Sequence, residues 1–326
     1  MTDHGHELEV ASAAVREACF LTRAVQDRVV ASRARVLKAD RSPVTRADLA
    51  SQVVIGTRLD AAFPADPLMA EEDATSLDQS PSFGQAVLDL ARSALPGLTA
   101  NDVRYALDRA RHPGGGSRFW VLDPIDGTKG FLRGAQYAIA LALVEEAQVV
   151  VAVLGCPNLP LAGTAEAGPH GCLLTAVRGR GARQLALDGS SSHDIAVQPD
   201  MPAGAATACE SVEAEHTSHE RARRIAEAAG LTEPPLRMDS QCKYALVARG
   251  EVTIYLRLPK HDAWHETAWD HAAGALVVEE AGGRVSDLTG RRLDFGRRNL
   301  DVTGGILASN RHIHERVLAA ARQVPR

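Results

Sequence analysis

Phe119-Trp120-Val121-Leu122-Asp123-Pro124-Ile125-Asp126-Gly127-Thr128-Lys129-Gly130-Phe131 runs an apolar strand directly into two carboxylates three residues apart. Pro124 fixes its own φ and Gly127 permits a tight reversal, so the turn can hold its oxygens in few arrangements. A hydroxyl follows at Thr128. Hard divalent cations bind oxygen ligands, and a stiff acidic turn can aim several oxygens at one point. Cations held in this way suit phosphate-ester hydrolysis. The same residues also suit a plain turn, so the choice depends on the rest of the chain.

Three other places offer carboxylates in unusual local settings. Asp48 lies in the first turn of a helix expected to be capped by Thr45 and to run to about Phe63. Glu71 and Glu72 follow the short apolar run Leu68-Met69-Ala70. Asp270 stands in Trp269-Asp270-His271-Ala272-Ala273-Gly274, at the start of an apolar helix. Taken singly, Asp48 and Asp270 are ordinary acids favouring a helix dipole, and Glu71-Glu72-Asp73 is a solvated loop. Taken together, acids at strand ends and helix starts can converge at a sheet edge and hold two or three cations with oxygen ligands.

Around these acids the hydrophobic period changes along the chain. Leu8 to Arg33 has helical spacing, and Ser82 to Leu95 predicts another helix. From Phe119 to Leu187 short apolar runs with tight turns predict an antiparallel sheet: Phe119–Leu122, Tyr137–Val144, Val149–Val153, Cys172–Val177 and Ala182–Leu187. Gly189-Ser190-Ser191-Ser192 reads as a linker. Beyond it strands (Ile195–Val197, Ala205–Cys209, Leu236–Met238, Thr253–Leu256, Gly305–Ala308) alternate with helices (Ser218–Ala229, Cys242–Ala248, Trp269–Ala281, Ile313–Ala321). The fold class is α+β followed by α/β, with domains expected at 1–192 and 193–326.

The chain has 326 residues, a formal net charge of −5, and 45% hydrophobic and 24% charged residues. That is long enough for a sizeable core. The acidic balance argues against a general nucleic-acid-binding role. The longest apolar region, Tyr137 to Leu154, is interrupted by Glu145-Glu146-Ala147-Gln148 and reads as a hairpin, so no membrane association is expected. Met1-Thr2-Asp3-His4-Gly5-His6 is polar, reads as a tail, and lacks the apolar core of a signal peptide. The cytoplasm is the expected compartment. Five cysteines (Cys19, Cys156, Cys172, Cys209, Cys242) form no Cys-x-x-Cys pair and are expected as buried thiols. His261 and His265 have the spacing of helical zinc ligands, but no third ligand is evident.

Asp123-Pro124-Ile125-Asp126-Gly127-Thr128 and Trp269-Asp270-His271-Ala272-Ala273-Gly274 resemble the two signatures of the inositol monophosphatase superfamily of metal-dependent, lithium-sensitive phosphatases. The continuation Lys129-Gly130-Phe131-Leu132-Arg133-Gly134 is similar to the 3'(2'),5'-bisphosphate nucleotidases within it. So are Ser42-Pro43-Val44-Thr45, Glu210 to His216, Asp239-Ser240-Gln241-Cys242-Lys243-Tyr244 and Tyr255-Leu256-Arg257-Leu258-Pro259. The likeness extends from about Lys38 to Asn310; residues 259–268 depart most from the family pattern. It implies a layered α-β-α-β-α sandwich, with an antiparallel sheet in the first half and a smaller mixed or parallel sheet in the second.

The resemblance also implies roles. Glu71, Asp123, the carbonyl of Ile125, Asp126 and Asp270 would bind two to three Mg²⁺, with Asp123 bridging. Thr128 and Glu71 would orient a water, and Asp48 would accept a proton. Gly127 and Thr128 would donate to the scissile phosphate. His216, Ser240, Lys243 and Arg257 would receive the nucleotide and its second phosphate. The expected reaction is loss of the 3'-phosphate from adenosine 3',5'-bisphosphate, and also from 3'-phosphoadenylylsulfate, which places the chain in sulfur assimilation and nucleotide metabolism. An inositol phosphate phosphatase on the same scaffold and a non-catalytic nucleotide or metal sensor are the alternatives. A monomer or homodimer is expected.

Overall fold

A seven-stranded sheet holds the turn at Asp123 on its second strand. The computed structural model describes residues 3–32, 42–162, 170–213, 217–259 and 265–324. The sheet follows chain order: β1 (Leu68–Ala70), β2 (Arg118–Asp126), β3 (Ala138–Glu145), β4 (Gln148–Pro160), β5 (His170–Val177), β6 (Ala182–Ala186) and β7 (Ser192–Ile195). Only the β1–β2 pair within it is parallel. A second sheet of five strands has the order β11-β12-β10-β8-β9, from β8 (Ala208–Ser211), β9 (Leu236–Met238), β10 (Ile254–Arg257), β11 (Arg284–Asp287) and β12 (Ile306–Ser309). It is mixed: β10 pairs in parallel with β8 and antiparallel with β12.

Helices fill the three remaining layers. α1 (Gly5–Ser32) and α2 (Ser42–Ala62) cover one face of the first sheet, backed by α3 (Pro81–Ala94), α4 (Ala100–Asp108) and the short α5 (Thr128–Arg133). α7 (Cys242–Ala248) and α8 (Ala272–Glu280) lie between the sheets. α6 (His219–Ala228) and α9 (His314–Gln323) close the outer face of the second sheet. The result is the expected α-β-α-β-α stack.

β3 shows why the stack forms. Both of its faces are buried, so it alternates between two cores rather than between core and water. Ile139, Leu141 and Leu143 face the outer helices, while Ala138, Ala140 and Ala142 face α8. The alanines leave room for a helix to approach closely. Gly274 on α8 continues that logic, since a Cβ there would lie 2.4 Å from Cδ2 of Tyr244.

Several expectations are corrected. α2 begins at Ser42, three residues before Thr45. The expected linker at Gly189–Ser192 runs into β7, which pairs with β6 and belongs wholly to the first sheet, across the expected boundary at Ser192. The strand expected at Ala205–Cys209 is shifted to β8. α4 and β11 were not foreseen. α4 carried a readable signal, the capping box between Thr99 and Asp102. His4 is no loose tail: it is buried near Glu7 and Glu145 at the foot of α1. All five cysteines are buried and unbridged. Among the described residues no helix is long and apolar enough to cross a membrane.

Candidate active site

Pairing geometry assembles the acids. β1 runs parallel to β2 with Ala70 opposite Leu122, so the next residues, Glu71 and Asp123, emerge side by side. On its other edge β2 is bulged: Asp123 pairs with Ala140 but Asp126 pairs with Ala138, three residues against two. Strand residues three apart ordinarily face opposite sides. The extra residue cancels that alternation and turns both carboxylates to one side. Pro124, which has no N–H to pair, is tolerated at the irregularity. Its carbonyl accepts a hydrogen bond from Oγ of Ser51 on α2 at 3.0 Å.

Asp270 arrives from the other half, two residues before α8, with Oδ2 accepting from Oγ1 of Thr267 at 2.8 Å. One carboxylate oxygen from each of Asp123, Asp126 and Asp270 falls within 4.8 Å of the others. Asp126 also accepts the backbone N–H of Gln241. The Gln241 side chain donates to the carbonyl of Trp269 (2.8 Å) and accepts from the N–H of Gly274 (3.0 Å). One residue thus ties α7, α8 and the bulge together.

The crowding has an electrostatic signature. Burial, followed by the charges of Glu71, Asp126 and Asp270, pushes Asp123 well above the usual carboxylate range. Burial and Asp270 raise Asp126 to about 6, with Lys243 opposing. Glu71 is exposed as a residue because it borders an open cavity, but its carboxyl is hemmed in by protein. Desolvation there, then Asp270, Glu72 and Asp126, raise it to about 8. Asp48 is buried behind Glu71 and Glu72 rather than on the cavity wall, and burial and those two acids raise it well above its ordinary value. Oδ1 of Asp123 is buried with no hydrogen-bond partner. Buried polar atoms are normally satisfied. An all-oxygen donor set with an orphaned oxygen and mutually repelling carboxylates fits a hard divalent cation.

The acids Glu71, Asp123, Asp126 and Asp270 line a cavity of about 460 Å³. Of the residues expected from the sequence, Glu71, Asp123, Ile125, Asp126, Gly127, Thr128, Ser240, Lys243, Arg257 and Asp270 line it together. His216 lies outside the described residues, as does His261. Lys243 is buried; its Nζ donates to the carbonyls of Ser240 (2.7 Å) and Met238 (3.3 Å) and lies 5.2 Å over the Tyr255 ring. Burial lowers the Lys243 pKa, and Asp126 opposes that shift. Arg257 donates from Nε to Oε1 of Glu266 at 3.0 Å.

Sequence reasoning missed the rim. Lys129 and Arg133 both pair with Glu213, and Arg133 also reaches Asp239 at 2.7 Å. These partners lie far apart in the chain, and no local pattern joins them. Gln241 and Glu266 were likewise not singled out. His271, next to Asp270, lies between Tyr244 (Nδ1 to OH, 2.8 Å) and Glu266 (Nε2 to Oε2, 3.1 Å).

A five-layer sandwich that brings acids from two strands and a helix start to one cavity defines a class of metal-dependent phosphatases. The chain belongs to the inositol monophosphatase family, whose model matches residues 6–326. Within it, the chain is 40% identical to a 3'(2'),5'-bisphosphate nucleotidase of Schizosaccharomyces pombe, covering 98% of this chain and 95% of the relative. It is 41% identical to a 3'(2'),5'-bisphosphate nucleotidase of Oryza sativa, over 97% of this chain and 93% of the relative. Among solved structures, an inositol monophosphatase from Anabaena shares the fold with a TM-score of 0.63 at 22% identity, covering 99% of this chain and 98% of that one. CysQ from Bacteroides thetaiotaomicron, a bacterial member of the family, gives 0.58 at 20% identity over 94% of this chain and 98% of its own.

Proposed function

We propose that this chain is a Mg²⁺-dependent phosphomonoesterase that hydrolyses the 3'-phosphate of adenosine 3',5'-bisphosphate to AMP and phosphate, and acts on 3'-phosphoadenylylsulfate as well. The observation that carries this reading is the make-up of one cavity: Glu71, Asp123, Asp126 and Asp270 line it together with the cations Lys243 and Arg257. A substrate with one phosphate needs only the acids and their cations. A nucleoside bisphosphate also uses Lys243 and Arg257. The nucleotidase relatives support the same choice over inositol phosphates.

Glu71, Asp123, the Ile125 carbonyl, Asp126 and Asp270 would hold two to three Mg²⁺. Bound there, the ions would neutralise the phosphate, favour ionisation of a water and stabilise the departing oxygen. The protein groups do the rest. Thr128, at the first turn of α5, orients the attacking water with Glu71. The amides of Gly127 and Thr128 donate to the phosphate oxygens. Water attacks phosphorus as the bond to the 3'-oxygen breaks; that oxygen leaves with the bonding pair and is protonated. Asp48, behind Glu71, takes up the proton lost by the water through that carboxyl. Lys243 meets the remaining 5'-phosphate as a point charge and Arg257 as a planar fork, with Ser240 and His216 completing the nucleotide contacts.

The test is phosphate release with Mg²⁺ or EDTA from adenosine 3',5'-bisphosphate, 3'-phosphoadenylylsulfate and inositol 1-phosphate, using wild type and Asp123→Asn. Mg²⁺-dependent release from the nucleotides, abolished in the variant, is expected. Faster release from inositol 1-phosphate would transfer the chain to the inositol phosphatases. No release from any would leave a binding protein.

A further inference from the structure

Glu266 is fully buried and absent from the cavity wall, yet its carboxylate is held on both oxygens. Oε1 accepts from Nε of Arg257 at 3.0 Å, and Oε2 meets Nε2 of His271 at 3.1 Å. The far ring nitrogen of His271 meets the Tyr244 hydroxyl at 2.8 Å, which fixes the imidazole from behind. The Glu266 carbonyl accepts the N–H of Leu300 at 2.8 Å, so the backbone is anchored as well. A buried carboxylate is tolerated only with such partners. Burial alone would raise its pKa; the His271 hydrogen bond and the Arg257 charge reverse that and keep it ionised.

A guanidinium is planar, so holding its Nε edge fixes the plane of the whole fork. Arg257 borders the cavity while Glu266 stands behind it. Four residues further on, Asp270 delivers its carboxylate to the acid cluster. A single short segment, 266–271, therefore carries both an acid of the cluster and the anchor for a cation of the same cavity, with a Glu266 oxygen within 4.8 Å of one from Asp270. We propose that Glu266 is a positioning residue that aims Arg257 and sets the spacing between the acid cluster and the second anionic group, so that substrates with two phosphates are preferred over those with one. This rests on the nucleotidase reading above.

The experiment compares adenosine 3',5'-bisphosphate with adenosine 3'-monophosphate, which keeps the scissile group and lacks the 5'-phosphate. The ratio of their kcat/KM values is measured in Mg²⁺ for wild type, Glu266→Gln, Arg257→Ala and the double variant. Loss of a charged hydrogen bond lowers the ratio about tenfold in Glu266→Gln, mainly through the KM of the bisphosphate. In the Arg257→Ala background the same change leaves the ratio where Arg257→Ala put it. Glu266→Asp keeps the buried charge and draws it back by one methylene, and lowers the ratio severalfold. Equal losses on both substrates, additive effects with Arg257→Ala, or an unchanged ratio in Glu266→Asp would overturn the proposal while leaving the nucleotidase reading intact. A wild-type enzyme with no preference for the bisphosphate would overturn both.

Discussion

Gly127 and Ser240 touch in the cavity wall, and each has positive φ: +89° for Gly127 and +63° for Ser240. A Cβ at Gly127 would lie 2.9 Å from the Ser240 Cβ. The contact joins the turn that starts α5 to the turn that donates the Gln241 N–H to Asp126. Gly127→Ala therefore suffers both a disfavoured backbone conformation and a steric clash. A loss of about 1–3 kcal/mol in stability is expected, with at least tenfold lower phosphate release. Thermal melting and a steady-state assay check this; wild-type values in both would show that the turn relaxes freely.

Asp123 is expected to reveal a conflict between stability and function. Its buried carboxylate has an unpartnered oxygen and four acidic neighbours in Glu71, Asp126, Asp270 and Asp48. Asp123→Asn removes the repulsion while keeping the shape. In EDTA the variant should melt higher than wild type. In Mg²⁺ the order reverses, because ligand binding stabilises only the protein that binds it. Hydrolysis should fall by about a thousandfold or more if Asp123 is one of the residues that would hold the ions. Melting curves with and without Mg²⁺ measure both signs, and a lower melting point in EDTA would contradict the repulsion argument.

The same acids set a pH dependence. Glu71 rises from 4.5 to about 8 on folding. An acid whose folded pKa is raised binds protons more tightly in the native state, so stability falls as pH climbs from the unfolded to the folded pKa. Asp126, raised to about 6, acts only in the lower part of that range. His314, lowered to about 4 by burial, works in the opposite direction below its ordinary value of 6.5. Between pH 6.5 and 8 Glu71 contributes together with the buried Asp48 and Asp123, whose raised pKa values act in the same direction. The cation-free protein should lose melting temperature across this interval. Mg²⁺ should reverse the trend, since binding to ionised ligands strengthens as protons leave. Differential scanning calorimetry in EDTA and in Mg²⁺ tests it; a rising EDTA curve would refute it.

Lys243 should govern affinity more than turnover. It is buried and held by the carbonyls of Ser240 and Met238 on the cavity wall. Lys243→Ala removes a charged partner for the 5'-phosphate, and the KM for adenosine 3',5'-bisphosphate should rise by about 10- to 100-fold with a smaller change in kcat. Full saturation curves separate the two constants, and an unaltered KM would remove Lys243 from the substrate's path.

The acids were legible because each sits at a local discontinuity: a strand end at Glu71, a bulge at Asp123 and Asp126, and a helix start at Asp270. Local chemistry marks such places. The rim pairs Arg133–Glu213 and Arg133–Asp239 were not, because they exist only once the halves pack. The edge strand β7 was hidden for a related reason. Its four residues are exposed or half-buried and carry no apolar alternation, so only its pairing with β6 defines it. Asp48 was legible as a helix acid, but its place behind Glu71 depends on how α2 docks on β2.

Gln241 offers the strictest test of how the site is held together, because nearly every group it carries is committed. Its N–H goes to Asp126, its side-chain amide to the Trp269 carbonyl at 2.8 Å, and its side-chain carbonyl to the Gly274 N–H at 3.0 Å. Trp269 immediately precedes Asp270, so the residue links Asp126, through its N–H, to the segment that carries Asp270, through its side chain. Gln241→Ala keeps the backbone bond to Asp126 but leaves a buried carbonyl and a buried N–H unpaired, at a cost of about 1–3 kcal/mol each. Gln241→Glu keeps an acceptor for Gly274 but replaces the donor to Trp269 with a carboxylate oxygen beside the acid cluster. If the role is to position Asp270, both variants should raise the Mg²⁺ concentration needed for half-maximal rate, the glutamate more than the alanine because it adds repulsion next to the Trp269 carbonyl. A destabilised fold with an unshifted Mg²⁺ requirement would instead make Gln241 a packing residue, with no share in arranging the acids.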